Sequence, residues 1–503
     1  MKKYFIGIDL GTSGVKCGVI SQDSTVVASS YWDAELIALK PGSMEQDPTI
    51  YHSQTLKIIA EVLTKSRLSS KNIHGVAIDG QMGGVIGIDK SFNPITGLDM
   101  GLDTKSERYN EIIHKELGTK LIKTTCGSPR NTPKIMRLKK EQWSLYRRVR
   151  KFVTLSGFVT GKMAGINSDR AFIDYTLLSF FGNEDARNLK WSEELTKELD
   201  LDIEKFPPVV APWKIVGTIS REASDISGLI EGTPIVAGAG DQPAGFLGAG
   251  LVRQGELLDV CGSSTLLVQS VDKFIPDIEK KSLVYMPSII KGRYYALSYI
   301  NGGGICLKWF KDEMLSGSNE SDFEQLTDKA AKIPPGSNNL LFIPYFGGRQ
   351  CPYNSFFRGG WLGLNWGHKK EHLFRSILES LTYDHLLGFK AIQRIFPEIA
   401  HKVLLTTGGG SKNRLWNQIK ADVLNLPVIP LECYLTPLIG CGILAGYGTG
   451  TITNLEAADI NTVQEASICY PDKKRNALYK RYAQLFENAF GMSIEKIFEV
   501  NQE

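Results

Sequence analysis

An apolar run, a glycine turn carrying small hydroxyl residues and a second apolar run occur twice in this chain. The first copy is Tyr4 to Ile8, the turn Gly11-Thr12-Ser13-Gly14, then Val15 to Ile20. The second is Leu257 to Cys261, the turn Gly262-Ser263-Ser264-Thr265, then Leu266 to Val268. Each reads as strand, tight turn, strand. Val26 to Tyr31 extends the first copy with a third antiparallel strand, and Asp47-Pro48 opens a helix carrying Ile50, Ile58, Ile59, Val62 and Leu63. Two matching hairpins predict a duplicated α/β fold with a cleft between the copies. A chain of 503 residues also suits two large domains. The division falls near residue 245, giving domains over 1–245 and 246–503.

A Gly-Thr-Ser turn aims successive backbone N–H groups and hydroxyls at one spot, which suits phosphate oxygens. Two such turns facing each other could hold the two ends of a triphosphate. The first copy carries an acid, Asp9, just before its turn, placed where a carboxylate can hold Mg²⁺ through water. Lys16 adds a positive charge nearby. No GxGxxG opens a helix here, so the dinucleotide fingerprint is missing.

Asp241 stands where the apolar strand Pro234 to Gly240 meets the helix-like segment QPAGFLGAG. The flanking glycines let a substrate approach the backbone, and a helix N-terminus is expected to favour the ionised carboxylate. That is a suitable place for a general base, although a helix cap would use the same residue. A third strand, Val403 to Thr407, leads into Gly408-Gly409-Gly410-Ser411-Lys412-Asn413 and a periodic helix. Gly409 could admit a flat ring, and Asn413 could supply donors and acceptors to an adenine edge. Asn301-Gly302-Gly303-Gly304 permits a nearby phosphate but does not diagnose one.

Composition excludes several classes. Charge is nearly balanced at +4, so neither a nucleic-acid footprint nor a polybasic membrane patch is present. The apolar start is broken at Asp9, unlike a secretory signal, and Pro437 to Gly450 is too short to span a bilayer. Eight cysteines occur singly without a CxxC pair, so reduced thiols and a cytoplasmic location are expected. His368 to His372 matches the HxxEH pattern of zinc peptidases. Gly367 precedes it directly, so His368 is expected at or outside the helix start, where the ligand spacing loses its geometry.

These segments together resemble the FGGY carbohydrate kinase family, from end to end. The phosphate hairpin is IDLGTSGVK, the catalytic segment is AGAGDQPAGFLGAG, and GWLGLNWGHKKEHLFRSILE and TGGGSKNRLWNQIKADVLNLPV follow in the family's order. The resemblance implies two duplicated actin-like (ribonuclease H-like) ATPase domains, with sugar binding in the first and nucleotide binding in the second. It implies ATP and Mg²⁺ as cofactors, Asp241 as catalytic base and Gln242 as its sugar-contacting neighbour. Asp9 corresponds to the acid linked to Mg²⁺. Thr12, Ser13 and Lys16 correspond to the first phosphate loop, and Gly262, Ser263 and Ser264 to the second, with Gly303 close by. Gly409 and Asn413 fall at adenine contacts, and Gln81, Met82, Gly83 and Asp103 where the family holds its sugar.

Within the family the chain is most similar to the xylulokinase branch, by length and by Gln81-Met82, so a ketopentose such as D-xylulose is the expected acceptor. Gly83 stands where that branch usually has His. Gly101-Leu102-Asp103-Thr104-Lys105 replaces Trp-x-Asp-x-Arg, so another ketose or a polyol is the alternative. The expected partner is a small sugar, with no nucleic acid and no membrane, and homodimers are common in the family. Two other classes compete: an actin-like ATPase without sugar chemistry, and the zinc hydrolase suggested by His368 and His372.

Overall fold

The computed structural model describes residues 2–34, 44–100, 103–127, 129–262, 264–300, 302–315, 320–354, 357–432, 435–457 and 467–490. Two sheets organise it. The first contains β1 (Tyr4–Gly11), β2 (Gly14–Ser21), β3 (Val26–Asp33), β4 (Ile73–Gly80), β5 (Ile215–Thr218), β6 (Pro234–Val236) and β7 (Ala239–Gly240), in the order β5-β6-β4-β1-β2-β3. β7 also pairs with β4. The second contains β8 (Leu257–Cys261), β9 (Thr265–Val271), β10 (Val284–Pro287), β11 (Tyr294–Ile300), β12 (Leu404–Thr407) and β13 (Val428–Pro430), in the order β10-β11-β9-β8-β12-β13.

Both sheets follow one plan. An antiparallel hairpin gains a further antiparallel strand on one side and a parallel strand on the other: β4 beside β1, and β12 beside β8. The expected duplication stands, but the turns differ in length. Gly11 pairs with Gly14 across a two-residue turn, whereas Cys261 pairs with Thr265 across three. The central strands are buried almost throughout, as parallel pairing under helices requires.

Helix α1 (Pro48–Ser66) starts where expected, with the Asp47 side chain accepting the Thr49 N–H. Its inner face is Tyr51, Thr55, Ile58, Ile59 and Val62; Ile50 lies one position off that stripe and is exposed. Gly238 separates β6 from β7 with φ +85°, and a Cβ there would fall 1.9 Å from the Ile78 carbonyl oxygen. This break turns the chain into α2 (Asp241–Gly248) beside the ends of β1 and β4.

The second half adds α3 (Gly303–Met314), α4 (Lys370–Ile395), α5 (Arg414–Leu424) and α6 (Thr436–Gly448). By sequence α6 belongs to the second half, yet it packs on the first sheet. Ile439, Cys441, Ile443 and Leu444 share a core with Phe5, Ala77, Val236 and Leu247. Backbones meet closely there: a Cβ on Gly440 would fall 2.0 Å from the Ala244 oxygen, and one on Gly7 2.4 Å from the Leu438 oxygen. Among the described residues no helix is long and apolar enough to cross a membrane, and seven cysteines are unpaired and buried.

Candidate active site

Two cavities meet at the mouth of the cleft. One, of about 220 Å³, is lined by Asp9, Thr12, Ser13 and Lys16 from the first hairpin, with Val260 and Thr407 from the second sheet. The other, of about 430 Å³, is lined on the first half by Gln81, Met82, Gly83, Thr104 and Arg130. Its facing wall comes from the second half: Leu266, Val284, Met286, Leu297 and Tyr299, with Ser264 at the turn. Thr12, Asp241 and Gln242 line both cavities. They stand at the boundary between a polar pocket on the hairpins and a larger pocket with one apolar wall.

Asp241 is the first residue of α2; the cap position is Gly240, which offers no side-chain cap. Its Oδ1 accepts the Gln242 N–H at 2.7 Å. Burial, then the nearby charge of Asp9, pushes its carboxyl up to about 7, against the opposing Gln242 N–H and Lys16. The helix N-terminus does favour the ionised form, through the Gln242 N–H, but desolvation and a like charge outweigh it. A carboxyl poised near neutrality is well matched to general-base work.

Asp9 and Asp79 are partners across the parallel pair β1 and β4, so both carboxylates leave the same face. Asp9 is paired with Lys16, whose Nζ lies 2.9 Å from Oδ2. Asp79 is fully buried, accepts the Cys441 thiol at 3.2 Å, and leaves Oδ1 without a partner. Burial, then Asp9 and Asp241, drives its carboxyl well above the usual range. Three carboxylates thus gather beside one ammonium. Hard oxygen donors in negative surroundings suit a divalent cation, and the unsatisfied Asp79 oxygen is consistent with one. Among the described residues no three His, Cys, Asp or Glu groups are clustered as a metal site.

Gln81 is buried and donates from Nε2 to Gln46 Oε1 at 2.9 Å, while Gln46 Nε2 donates to the Thr12 carbonyl at 2.8 Å. This chain ties the larger pocket to the first turn, and nothing in the local spacing of Gln46 announced it. Asn131 fixes the neighbouring loop, accepting the Gly84 N–H and donating to the Met82 carbonyl. Asp103 is not among the residues that line the larger cavity. Its side chain is buried, accepting the Met44 and Lys105 N–H groups at 2.9 and 3.0 Å, with the Lys105 ammonium at 3.3 Å. The next residue, Thr104, lines the cavity, as do Arg130, Val284, Met286, Leu297 and Tyr299, none of which the sequence motifs singled out.

On the nucleotide side, Gly262 accepts the Gly304 N–H at 2.9 Å, bringing the start of α3 against the second turn. A Cβ on Gly303 would collide with Thr265 at 1.7 Å, so only glycine fits there. Gly409 faces open space, with nothing within 4 Å of a Cβ. Asn413 Oδ1 caps α5 by accepting the Trp416 N–H at 3.0 Å, which leaves its amide as the group available to a ligand. Ser263, Gly101, Leu102 and Asn301 lie outside the described residues. His368 precedes α4, and both ring Nδ1 atoms, of His368 and His372, accept local backbone N–H groups from Asn365 and Lys369. The pair braces a helix start.

The chain was compared with known proteins. The model of the N-terminal domain of the FGGY family of carbohydrate kinases matches residues 4–248, and that of the C-terminal domain matches 259–449. A xylulose kinase of Bacillus subtilis (strain 168) is 29% identical over 495 residues, covering 97% of both chains. A gluconokinase of the same strain is 27% identical over 469 residues, covering 91% of this chain and 90% of its own. The crystal structure of a ligand-bound xylulose kinase from Lactobacillus acidophilus superposes with a TM-score of 0.88 at 23% identity, over 98% of this chain and 100% of that one. The duplicated α/β plan expected from the hairpins, and the actin-like architecture implied by the resemblance, are the fold these kinases share. With both family models matched in order along the chain, this protein belongs to the FGGY family of carbohydrate kinases and is a sugar phosphotransferase.

Proposed function

We propose that the protein transfers the γ-phosphoryl group of ATP to a hydroxyl of a ketopentose such as D-xylulose, with Asp241 as general base. The observation that carries this reading is the position of Asp241 and Gln242 on the boundary shared by the two cavities. In the proposed arrangement the polar cavity takes the phosphates and the larger one the sugar. The acceptor oxygen attacks phosphorus in line, the bond to the bridging oxygen breaks, and ADP leaves with that electron pair. Asp241 takes the hydroxyl proton late, because such transition states are loose and depend on positioning more than on proton removal. Thr12 and Ser13 orient the phosphate oxygens within the polar cavity, and Gly262 and Ser264 do so from the second turn, where Ser264 stands at the rim of the larger cavity. Gln242 and Gln81 orient the sugar, and Gly409 and Asn413 receive the adenine. Asp9 and Asp79 would hold Mg²⁺ through water, and the ion, when bound, neutralises phosphate charge. The two halves are taken to divide near residues 245 and 246 and to work in the cytoplasm.

A second acceptor class, another ketose or a polyol, is favoured by the larger pocket itself. Gly83 leaves one wall without a side chain, and Arg130 lines another. A coupled ADP-release assay with ATP and Mg²⁺ against ketopentoses, ketohexoses, tetroses and polyols decides between them, with Asp241→Asn alongside. Highest turnover per unit concentration on D-xylulose supports the first acceptor; a different winner supports the second. Sugar-independent ATP hydrolysis that survives in the variant would sink the kinase mechanism altogether.

A further inference from the structure

We infer that the buried Lys420–Asp259 pair is a positioning device for the nucleotide, setting the spacing between the phosphate turn after β8 and the adenine-side loop after β12. The inference rests on the nucleotide reading of those two loops. β8 and β12 are parallel neighbours, with Val260 opposite Thr407, so their loops leave the sheet side by side. The second loop is laid directly on the last residue of β8. A Cβ on Gly408 would fall 2.7 Å from the Cys261 carbonyl oxygen, and one on Gly410 2.7 Å from Cys261 Cβ and 2.5 Å from the Trp416 ring. Cys261 and Trp416 are thus the floor of the adenine-side loop, and Cys261 is also the residue from which the phosphate turn departs.

Lys420, on α5, holds both parts of that floor. Its Nζ lies 2.6 Å from Asp259 Oδ2, 2.9 Å from Cys261 Sγ and 3.9 Å from the centroid of the Trp416 ring. Cys261 Sγ lies 3.1 Å from Thr406 Oγ1 on β12, and His385 Nε2 lies 3.5 Å from Asp259 Oδ1. Lys420 and Asp259 are wholly buried. Burial alone would neutralise both groups, yet each holds the other charged: the lysine stays above its ordinary value and the aspartate below its own. An ion pair of this kind gives no more stability than an apolar pair of the same volume. What it supplies is direction: short contacts from one ammonium on α5 to two residues of β8, with Cys261 in turn reaching Thr406 of β12, fix the separation of these elements more tightly than apolar side chains that can slide.

The double variant Lys420→Met/Asp259→Asn closely keeps the volume and removes both charges. Dissociation constants of ATP, adenosine and tripolyphosphate are compared with those of the wild type by titration calorimetry. Joining two fragments gains affinity only when the linker matches the separation of their sites. Adenosine and tripolyphosphate are therefore expected to bind within about 2-fold of wild type, while ATP weakens by about 10-fold or more. KM for ATP rises and KM for the sugar does not. Cys261→Ala, a smaller change that keeps both charges, should give the same pattern at about 3-fold, and serves if the double variant does not fold. Unchanged ATP affinity in a folded variant overturns the inference, as does equal weakening of all three ligands. Wild-type protein that binds neither ATP nor adenosine overturns the nucleotide reading beneath it.

Discussion

The contact between α2 and α6 allows a sharp test, because a single added carbon discriminates between close packing and slack. Gly440→Ala places a methyl 2.0 Å from the Ala244 carbonyl oxygen, where ordinary contact begins at 3.4 Å. The helices must separate by about 1.4 Å, and the obstacle is backbone, which cannot rotate aside. Overpacking typically costs about 1–3 kcal/mol, and a rigid obstacle argues for the upper end. Replacing glycine by alanine inside a helix returns about 1 kcal/mol. The net expectation is about 2 kcal/mol of destabilisation. In a domain of this size that is a fall in Tm of roughly 4–8 °C. Since α2 begins with Asp241, its displacement by about 1 Å should also lower turnover by up to about 10²-fold. Differential scanning fluorimetry and the coupled assay read the two effects. Gly245→Ala is the matched control: its methyl would meet Pro437 at 3.6 Å, an ordinary contact, so that variant should gain up to about 1 kcal/mol. A Gly440→Ala protein with Tm at or above wild type would refute the close-packing argument.

Because the base must be ionised, kcat/KM should rise with pH through about 7, the value to which burial and Asp9 push the Asp241 carboxyl; a flat profile from pH 5.5 to 8.5 contradicts its role. The same shift has a stability side. A carboxyl raised on folding contributes stability that is present below its unfolded value and lost as pH rises through about 7, so Asp241→Asn should raise Tm relative to wild type at pH 8 and leave it unchanged near pH 4. Asp9→Asn removes the second cause of that shift and should move the acid limb of residual activity to lower pH while raising the Mg²⁺ concentration needed for half-maximal rate. Far from the cleft, Glu379 accepts from Arg375, Ser337, Tyr479 and the Gly336 N–H, all buried. Arg375→Met strands that carboxylate and should cost about 3–5 kcal/mol in urea titrations, whereas paired replacement by apolar residues should not.

The sequence disclosed what local spacing encodes. The hairpin from Tyr4 to Ile20, its copy from Leu257, the Asp47 cap and the strand-to-helix junction at Asp241 each depend on neighbours a few residues away. What stayed hidden depends on partners far along the chain. Gln46 joins Gln81 to Thr12, and Leu266 and Tyr299 close a pocket opened by Gln81 and Met82. Asp103 shows the same dependence: its carboxylate is held by Lys105 and the Met44 N–H, and Thr104 stands at the wall beside it. The acidity of Asp241 was only partly legible for a similar reason. Its helix position was legible, but the Asp9 charge that opposes ionisation arrives through sheet pairing.

The return of α6 to the first sheet also orders events during synthesis. Gly7 lies under Leu438, so the opening strand cannot complete its packing until some 430 further residues exist. At about 5–20 residues per second that is a wait of roughly 20–90 s, during which the face of β1 and β4 destined for α6 stays uncovered. A nascent chain of this kind is a natural client for a chaperone, and a fragment ending near residue 245 would expose the same face permanently. A circular permutant that begins with α6 and runs on into β1 should shorten that interval and reach the soluble state with less assistance.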